Sequence, residues 1–171
     1  MRITLRIRLI SLTFLVILLI FSGCSNKEDV RKLAPEFSLE DLFGNTVTLQ
    51  GSRGSVVLLD FWATWCPPCR IAIPELVELQ KKYKEKGLVI IGVSVDDPQS
   101  VTNGDLLAFK EEFKINYRIV RADWKVMNDY FGLEDVAIPT MFVIDGEGWI
   151  VEKYVGFRPG ALEKSLKKLL S

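Results

Sequence analysis

The chain has 171 residues, 49% of them hydrophobic and 26% charged, with 22 basic against 22 acidic side chains. These figures describe one globular domain of ordinary size plus a short extension. They exclude disordered, collagen-like and cysteine-dense classes, and the balanced charge offers no nucleic-acid surface. Histidine is absent, which rules out a His-ligated metal and any Ser-His or Cys-His catalytic pair.

Arg2, Arg6 and Arg8 precede an apolar run over residues 9–21, followed by the small residues Ser22-Gly23 and then Cys24. A basic start followed by an apolar stretch of secretory length is a targeting pattern. It resembles a bacterial lipoprotein signal over 1–23, in which Cys24 would carry the lipid anchor. Phe21 departs from the aliphatic residue usual three places before that cysteine. The alternative is an uncleaved membrane helix beginning near Ile3. Either way the domain is expected outside the cytoplasm, anchored to a membrane. Residues 24–34 are polar and charged and read as a tether, with the folded domain over 35–171.

Phe37-Ser38-Leu39 and Val47-Thr48-Leu49 alternate around a Gly44-Asn45 turn, which predicts an N-terminal hairpin. Residues 56–62 are apolar almost throughout, as in a central strand covered on both faces. Pro67 and Pro68 suit the first turn of a helix, where a missing N–H is not needed. Leu76, Leu79 and Tyr83 continue its inward stripe, Pro74 falls inside it, and Gly87 supplies a stop. A second buried strand spans 88–95, ended by Asp96-Asp97-Pro98. Leu106, Phe109 and Phe113 have helical spacing within 99–114. Residues 117–120 read as a strand, and Asp123 as the cap of a short helix over 124–131. Strands over 140–144 and 149–154 form a hairpin through Asp145-Gly146-Glu147-Gly148, and a last helix carries Leu162, Leu166 and Leu169. The order β-α-β-α-β-α then β-β-α predicts a parallel sheet with an antiparallel edge.

The motif Trp65-Cys66-Pro67-Pro68-Cys69 sits at the junction between the central strand and its helix. With Cys24 assigned to the anchor, Cys66 and Cys69 remain. Two cysteines at this spacing can close and reopen as a disulfide. As a structural clip, so small a loop constrains the unfolded chain little. As zinc ligands they lack a second pair. Redox exchange is the better use. At a helix start, unpaired N–H groups and the dipole favour a thiolate, which is the attacking species.

The stretch Phe61-Trp62-Ala63-Thr64-Trp65-Cys66-Pro67-Pro68-Cys69-Arg70, the internal Pro74 and Ile138-Pro139-Thr140 together resemble the thioredoxin superfamily. Ala34-Pro35-Glu36-Phe37 and the helical segment 99–114 resemble its membrane-tethered TlpA/ResA-like branch. The likeness covers roughly residues 34 to 170. It implies an α/β, thioredoxin-like fold: a mixed central sheet flanked by helices, with an N-terminal β-hairpin and an inserted helix. On this resemblance Cys66 attacks and the less exposed Cys69 resolves the mixed disulfide. Asp60 interrupts an apolar strand at the place of the buried aspartate of thioredoxins, where it would take the Cys69 proton through water; an edge-facing or hydrogen-bonded structural acid is the alternative. Pro139 alone would be read as a trans turn proline; the resemblance implies a cis bond that exposes the Ile138 backbone to an extended substrate. Trp65, with Ile138, forms an apolar docking rim or else packs into the domain, and Pro67 and Pro68 complete the substrate face. Ala72 stands where some ResA-like proteins carry an acid, so that acid's role does not transfer, and Glu75 points elsewhere on the helix.

The resemblance implies an extracytoplasmic, membrane-anchored thiol–disulfide oxidoreductase. It would reduce exported proteins with cysteine pairs, apocytochrome c among them, and be recharged by a membrane electron donor, with no metal and no cofactor. A peroxiredoxin-like peroxidase, whose start the segment 34–49 resembles although Thr64 and Arg70 here flank a Cys-x-x-Cys, and a non-catalytic binding domain with a structural disulfide are the rival readings.

Overall fold

In a computed structural model of the chain, residues 32–132 and 136–171 are described. The expected signal or anchor over 1–23, Cys24 and the tether as far as residue 31 lie outside them. Strand β4 (Val56–Trp62) is buried along its whole length. Its side chains alternate between two cores: Val56, Leu58 and Trp62 enter one, and Val57, Leu59 and Phe61 the other. Full burial of each such apolar side chain favours folding by about 1.5–3 kcal/mol.

Around β4 stand β5 (Leu88–Ser94) and β6 (Arg118–Arg121), both parallel to it in sequence of pairing, and β7 (Thr140–Ile144) and β8 (Trp149–Val155), which are antiparallel. The sheet has six strands in the order β1-β8-β7-β4-β5-β6. Strand β1 is Lys32–Leu33, pairing with Ile150 and Trp149 of β8. The hairpin therefore does not end the sheet as the sequence predicts. The last residues of the expected tether cover its outer edge, continued by the Ala34 N–H donating to the Gly148 carbonyl at 2.9 Å. The predicted N-terminal hairpin is β2 (Ser38–Glu40) with β3 (Thr46–Thr48).

Helix α1 (Pro67–Tyr83) runs through Pro74 and presents Cys69, Ala72, Ile73, Leu76, Leu79 and Tyr83 inward. Helix α2 (Asn103–Glu112) begins later than residue 99. Asp97 first draws the N–H of Gln99 and the Ser100 hydroxyl into a turn, and Thr102 and Asp105 then form a reciprocal cap. Helix α3 (Trp124–Phe131) starts at its Asp123 cap, which accepts the Val126 N–H at 2.7 Å. Helix α4 (Ala161–Leu169) buries Leu162 and Leu166. Helices α1, α2 and α4 contribute to the core that holds Leu58 and Trp62; α3 and the β2–β3 hairpin contribute to the other. Among the described residues no helix is long and apolar enough to cross a membrane.

Candidate active site

Strand β4 runs out at Trp62 and delivers the chain, through Ala63-Thr64-Trp65, to Cys66 at the N-cap of α1. Cys66 is extended, with φ −90° and ψ 105°. Its Sγ accepts the Cys69 N–H at 3.2 Å. Pro67 and Pro68 occupy the first two helical positions and have no N–H, so of the first three helical positions only Cys69 donates to that sulfur. Cys66 and Cys69 are joined as a disulfide with a Cα–Cα distance of 5.3 Å. Cys66 is 2% exposed and Cys69 1%. The loop position predicts a more open Cys66 than this. In the closed state each sulfur covers the other, and the difference between them is small.

The approach to the cysteines is held by Asp96, a residue whose own sequence neighbourhood marks only the end of a strand. Buried Asp96 accepts the Thr64 N–H at 3.2 and 3.1 Å, the Thr64 hydroxyl at 2.8 Å and the Ser94 hydroxyl at 2.9 Å. The Asp96 carbonyl accepts from Arg121 at 3.5 Å, and Arg121 also reaches Asn103 and the Val101 carbonyl at the start of α2. Asp96→Ala leaves two hydroxyls and a backbone N–H without their acceptor. It is expected to cost about 3 kcal/mol in urea denaturation of the oxidised protein. A loss below about 1 kcal/mol would mean that the loop holds itself.

Asp60 is 1% exposed, and among the described residues its Oδ1 has no hydrogen-bond partner. It lies between Leu58 and Trp62 on β4, so by alternation it faces the same core as α1 and the cysteines. Burial pushes its pKa from 3.8 to about 7. A fully hydrogen-bonded structural acid does not fit an unpartnered oxygen.

The Ile138–Pro139 bond is cis. Thr140 pairs with Phe61, so Pro139 lies at the end of the sheet where β4 turns into the cysteine loop. The Pro139 carbonyl accepts the Gly156 N–H at 2.8 Å, and the Thr140 hydroxyl donates to the Ala137 carbonyl at 2.6 Å. Ile138 is half-buried against both cores. Trp65 is 65% exposed, so of its two expected placements packing into the domain is excluded. Pro67 and Pro68 are exposed too, and so is Ile71, which the sequence reading did not single out. Ala72 is buried. Glu75 points away as expected, with both carboxylate oxygens accepting the Gly160 N–H at 3.1 Å ahead of α4. The Arg70 guanidinium lies over Phe109 and Phe113 of the inserted segment, 5.5 and 5.1 Å from their centroids, and 3.8 Å from Glu112. Among the described residues no three His, Cys, Asp or Glu side chains gather as metal ligands.

A family model described as the AhpC/TSA family matches residues 30–153. Thiol-disulfide oxidoreductase ResA of Bacillus cereus (strain ZK / E33L) is 33% identical over 137 residues, which are 80% of this chain and 75% of that protein. Thioredoxin-like protein YneN of Bacillus subtilis (strain 168) is 34% identical over 129 residues, 72% of this chain and 69% of that protein. Among solved structures, a thioredoxin-family thiol:disulfide interchange protein from Chlorobium tepidum TLS superposes with a TM-score of 0.73 at 29% identity, covering 82% of this chain and 97% of that one. The thioredoxin domain of a thiol-disulfide oxidoreductase from Bacteroides vulgatus gives 0.71 at 31% identity, with 82% and 96% covered. A sheet of this order, with a Cys-Pro-Pro-Cys disulfide at a helix start, thus has thiol–disulfide enzymes as its relatives by sequence and by shape. The chain belongs to the AhpC/TSA family as a thioredoxin-like protein-disulfide oxidoreductase similar to ResA.

Proposed function

We propose that this oxidoreductase works outside the cytoplasm, anchored to the membrane, as a reductant of exported proteins that carry cysteine pairs, apocytochrome c among them. The observation that carries the reading is the Cys66–Cys69 pair at the α1 N-terminus, on the core that buried Asp60 faces by alternation along β4, its Oδ1 without a hydrogen-bond partner among the described residues. In the dithiol form the Cys66 thiolate attacks a substrate disulfide. One Cys66–substrate S–S bond forms, the substrate S–S bond breaks, and its electron pair leaves with the second substrate sulfur. Cys69 then attacks Cys66 and gives up its proton to Asp60, closing the disulfide and releasing the dithiol product. With a pKa of about 7, Asp60 can take and return that proton near neutral pH. A membrane electron donor reopens the Cys66–Cys69 bond.

Exposed Trp65, Pro67 and Pro68, with Ile138 and cis-Pro139 at the same end of the sheet, support an extended protein segment as substrate. The anchor is read from the leader and Cys24 alone. The ResA relatives support the thiol–disulfide chemistry; the cytochrome substrate is the finer inference, drawn from the likeness to that branch. A peroxidase is disfavoured. The Thr64 hydroxyl is committed to Asp96 and so is not free to hold a peroxide at Cys66.

Cys69→Ala removes the resolving sulfur and should arrest the reaction after the first step. Expressed in cells, it is expected to accumulate a mixed disulfide through Cys66. Mass spectrometry of the trapped species should return exported proteins with cysteine pairs, including a cytochrome c polypeptide. Recovery of no adduct, or of cytoplasmic proteins alone, would overturn the assignment.

A further inference from the structure

Among the described residues seven large hydrophobic side chains are exposed, and four of them, Trp65, Trp124, Val136 and Val155, gather at one end of the sheet. Strands β4, β5 and β6 run parallel and stop level, for Trp62 pairs with Ser94 and Ser94 with Arg121. Their exits stay side by side: the Val95 N–H donates to the Trp62 carbonyl at 2.9 Å, and the Ala122 N–H to the Ser94 carbonyl at 2.8 Å. Trp65 and Trp124 thus each stand three residues beyond a strand end, on either side of the β5 exit. Beyond β4 in the other direction, Val155 pairs with Thr140, and Val136 lies just ahead of Ile138 and cis-Pro139. In sheet order this end reads Val155, Val136, Trp65 beside Cys66, then Trp124. Single exposed hydrophobics need no explanation, whereas a row of them marks an interaction surface.

We propose that Trp124 is a specificity-determining residue: it receives an apolar or aromatic side chain of the extended protein segment whose disulfide Cys66 attacks. Trp124 is 80% exposed and is the first residue of α3. Its backbone is fixed by the Asp123 cap, which accepts the Val126 N–H. The side chains that α3 sends into the core are Val126, Tyr130 and Phe131, so the indole does not serve the packing of its own helix. A polar residue would suit an exposed first turn as well or better. The spacing follows from the sheet. Neighbouring strands lie about 4.8 Å apart, which separates the β4 and β6 exits by about 10 Å along the edge. An extended chain covers that distance in about three residues. Helices α3 and α1 pack on opposite faces of the sheet, which lengthens the path. The favoured side chain therefore stands about three to six residues from the attacked cysteine. A row centred on the cysteines suits a substrate that must pass over them. A lipid surface or a second copy of the chain has no need of that centring.

The inference rests on the reading of this protein as a reductant of other proteins, and the test separates the two. Three glycine- and serine-rich peptides each carry one Cys-Gly-Gly-Cys disulfide. One has no other large side chain; the second and third add a phenylalanine about four residues before or after the disulfide. Their rates of reduction by the reduced full chain, in detergent, are compared. At least one phenylalanine peptide is expected to react about tenfold faster than the plain one. Trp124→Ala should bring that ratio to within about twofold, and Trp124→Phe should keep most of it. Equal rates for the three peptides, or a preference that survives Trp124→Ala, overturns the proposal and leaves the reductant reading standing. Failure to reduce any of the peptides overturns that reading and the proposal with it. Self-association of the parent chain that Trp124→Ala abolishes, with no preference among the peptides, overturns the proposal by giving the row to a second copy.

Discussion

Cys66→Ser is expected to lose dithiol-driven reduction of a disulfide protein by roughly 10^3-fold or more, while remaining folded. The loss follows from chemistry. A serine hydroxyl is not ionised near neutral pH and cannot form the S–S bond that carries the substrate. Folding should survive because the substitution keeps what Cys66 does locally. Cys66 caps α1 by accepting the Cys69 N–H at 3.2 Å, and serine is a preferred residue at that position. Removing the disulfide from a loop this short costs only about 2 kcal/mol of chain-entropy stabilisation. That is a fraction of the 5–15 kcal/mol typical of a domain. Turnover within tenfold of the parent protein would place the chemistry elsewhere in the molecule.

Asp60→Asn should make the oxidised protein more stable at pH 8 by about 4 kcal/mol and change little at pH 4. The sign comes from proton counts. In the folded protein Asp60 holds its proton up to about pH 7, whereas in the unfolded chain it loses it near 3.8. Between those values the folded state binds the extra proton, so stability falls as pH rises through the window. Above pH 7 the folded protein carries a buried charge, and the full penalty applies. An amide escapes that penalty at every pH. Urea denaturation of both proteins across pH 4 to 8 measures it, in the oxidised form so that no thiol titrates. Parallel curves would mean that the Asp60 carboxyl is solvated. The pair of results would set a stability gain against a slower release of product, since the same variant removes the proposed base.

The architecture was readable where a side-chain period or a turn residue dictated the backbone. Strand β4 is apolar throughout and is covered on both faces; Pro67 opens α1; Asp123 and Gly132 bracket α3. The cysteine pair was readable because its four residues are adjacent. What escaped depends on partners distant in sequence. Asp96 meets Thr64 across 32 positions, and nothing around Asp96-Asp97-Pro98 distinguishes a loop anchor from a strand stop. Trp124 joins the cysteine end only once β4, β5 and β6 have paired in register. Lys32 and Leu33 are both exposed and carry no alternation, so their pairing with β8 is set by an available strand edge rather than by their own pattern. The cis bond at Pro139 came from the family likeness, since an isolated X–Pro dipeptide favours trans.

The double proline at the mouth of α1 has a consequence for direction. A helix start normally offers an incoming anion several amide hydrogens. Here two are missing by covalent structure, and the Cys66 sulfur is left with one donor. A thiolate so thinly solvated holds its proton more tightly and makes a poorer leaving group, which is in keeping with the proposed role of giving electrons. On this scaffold the difference between a donor and an acceptor of electrons can come down to two hydrogens on backbone nitrogen.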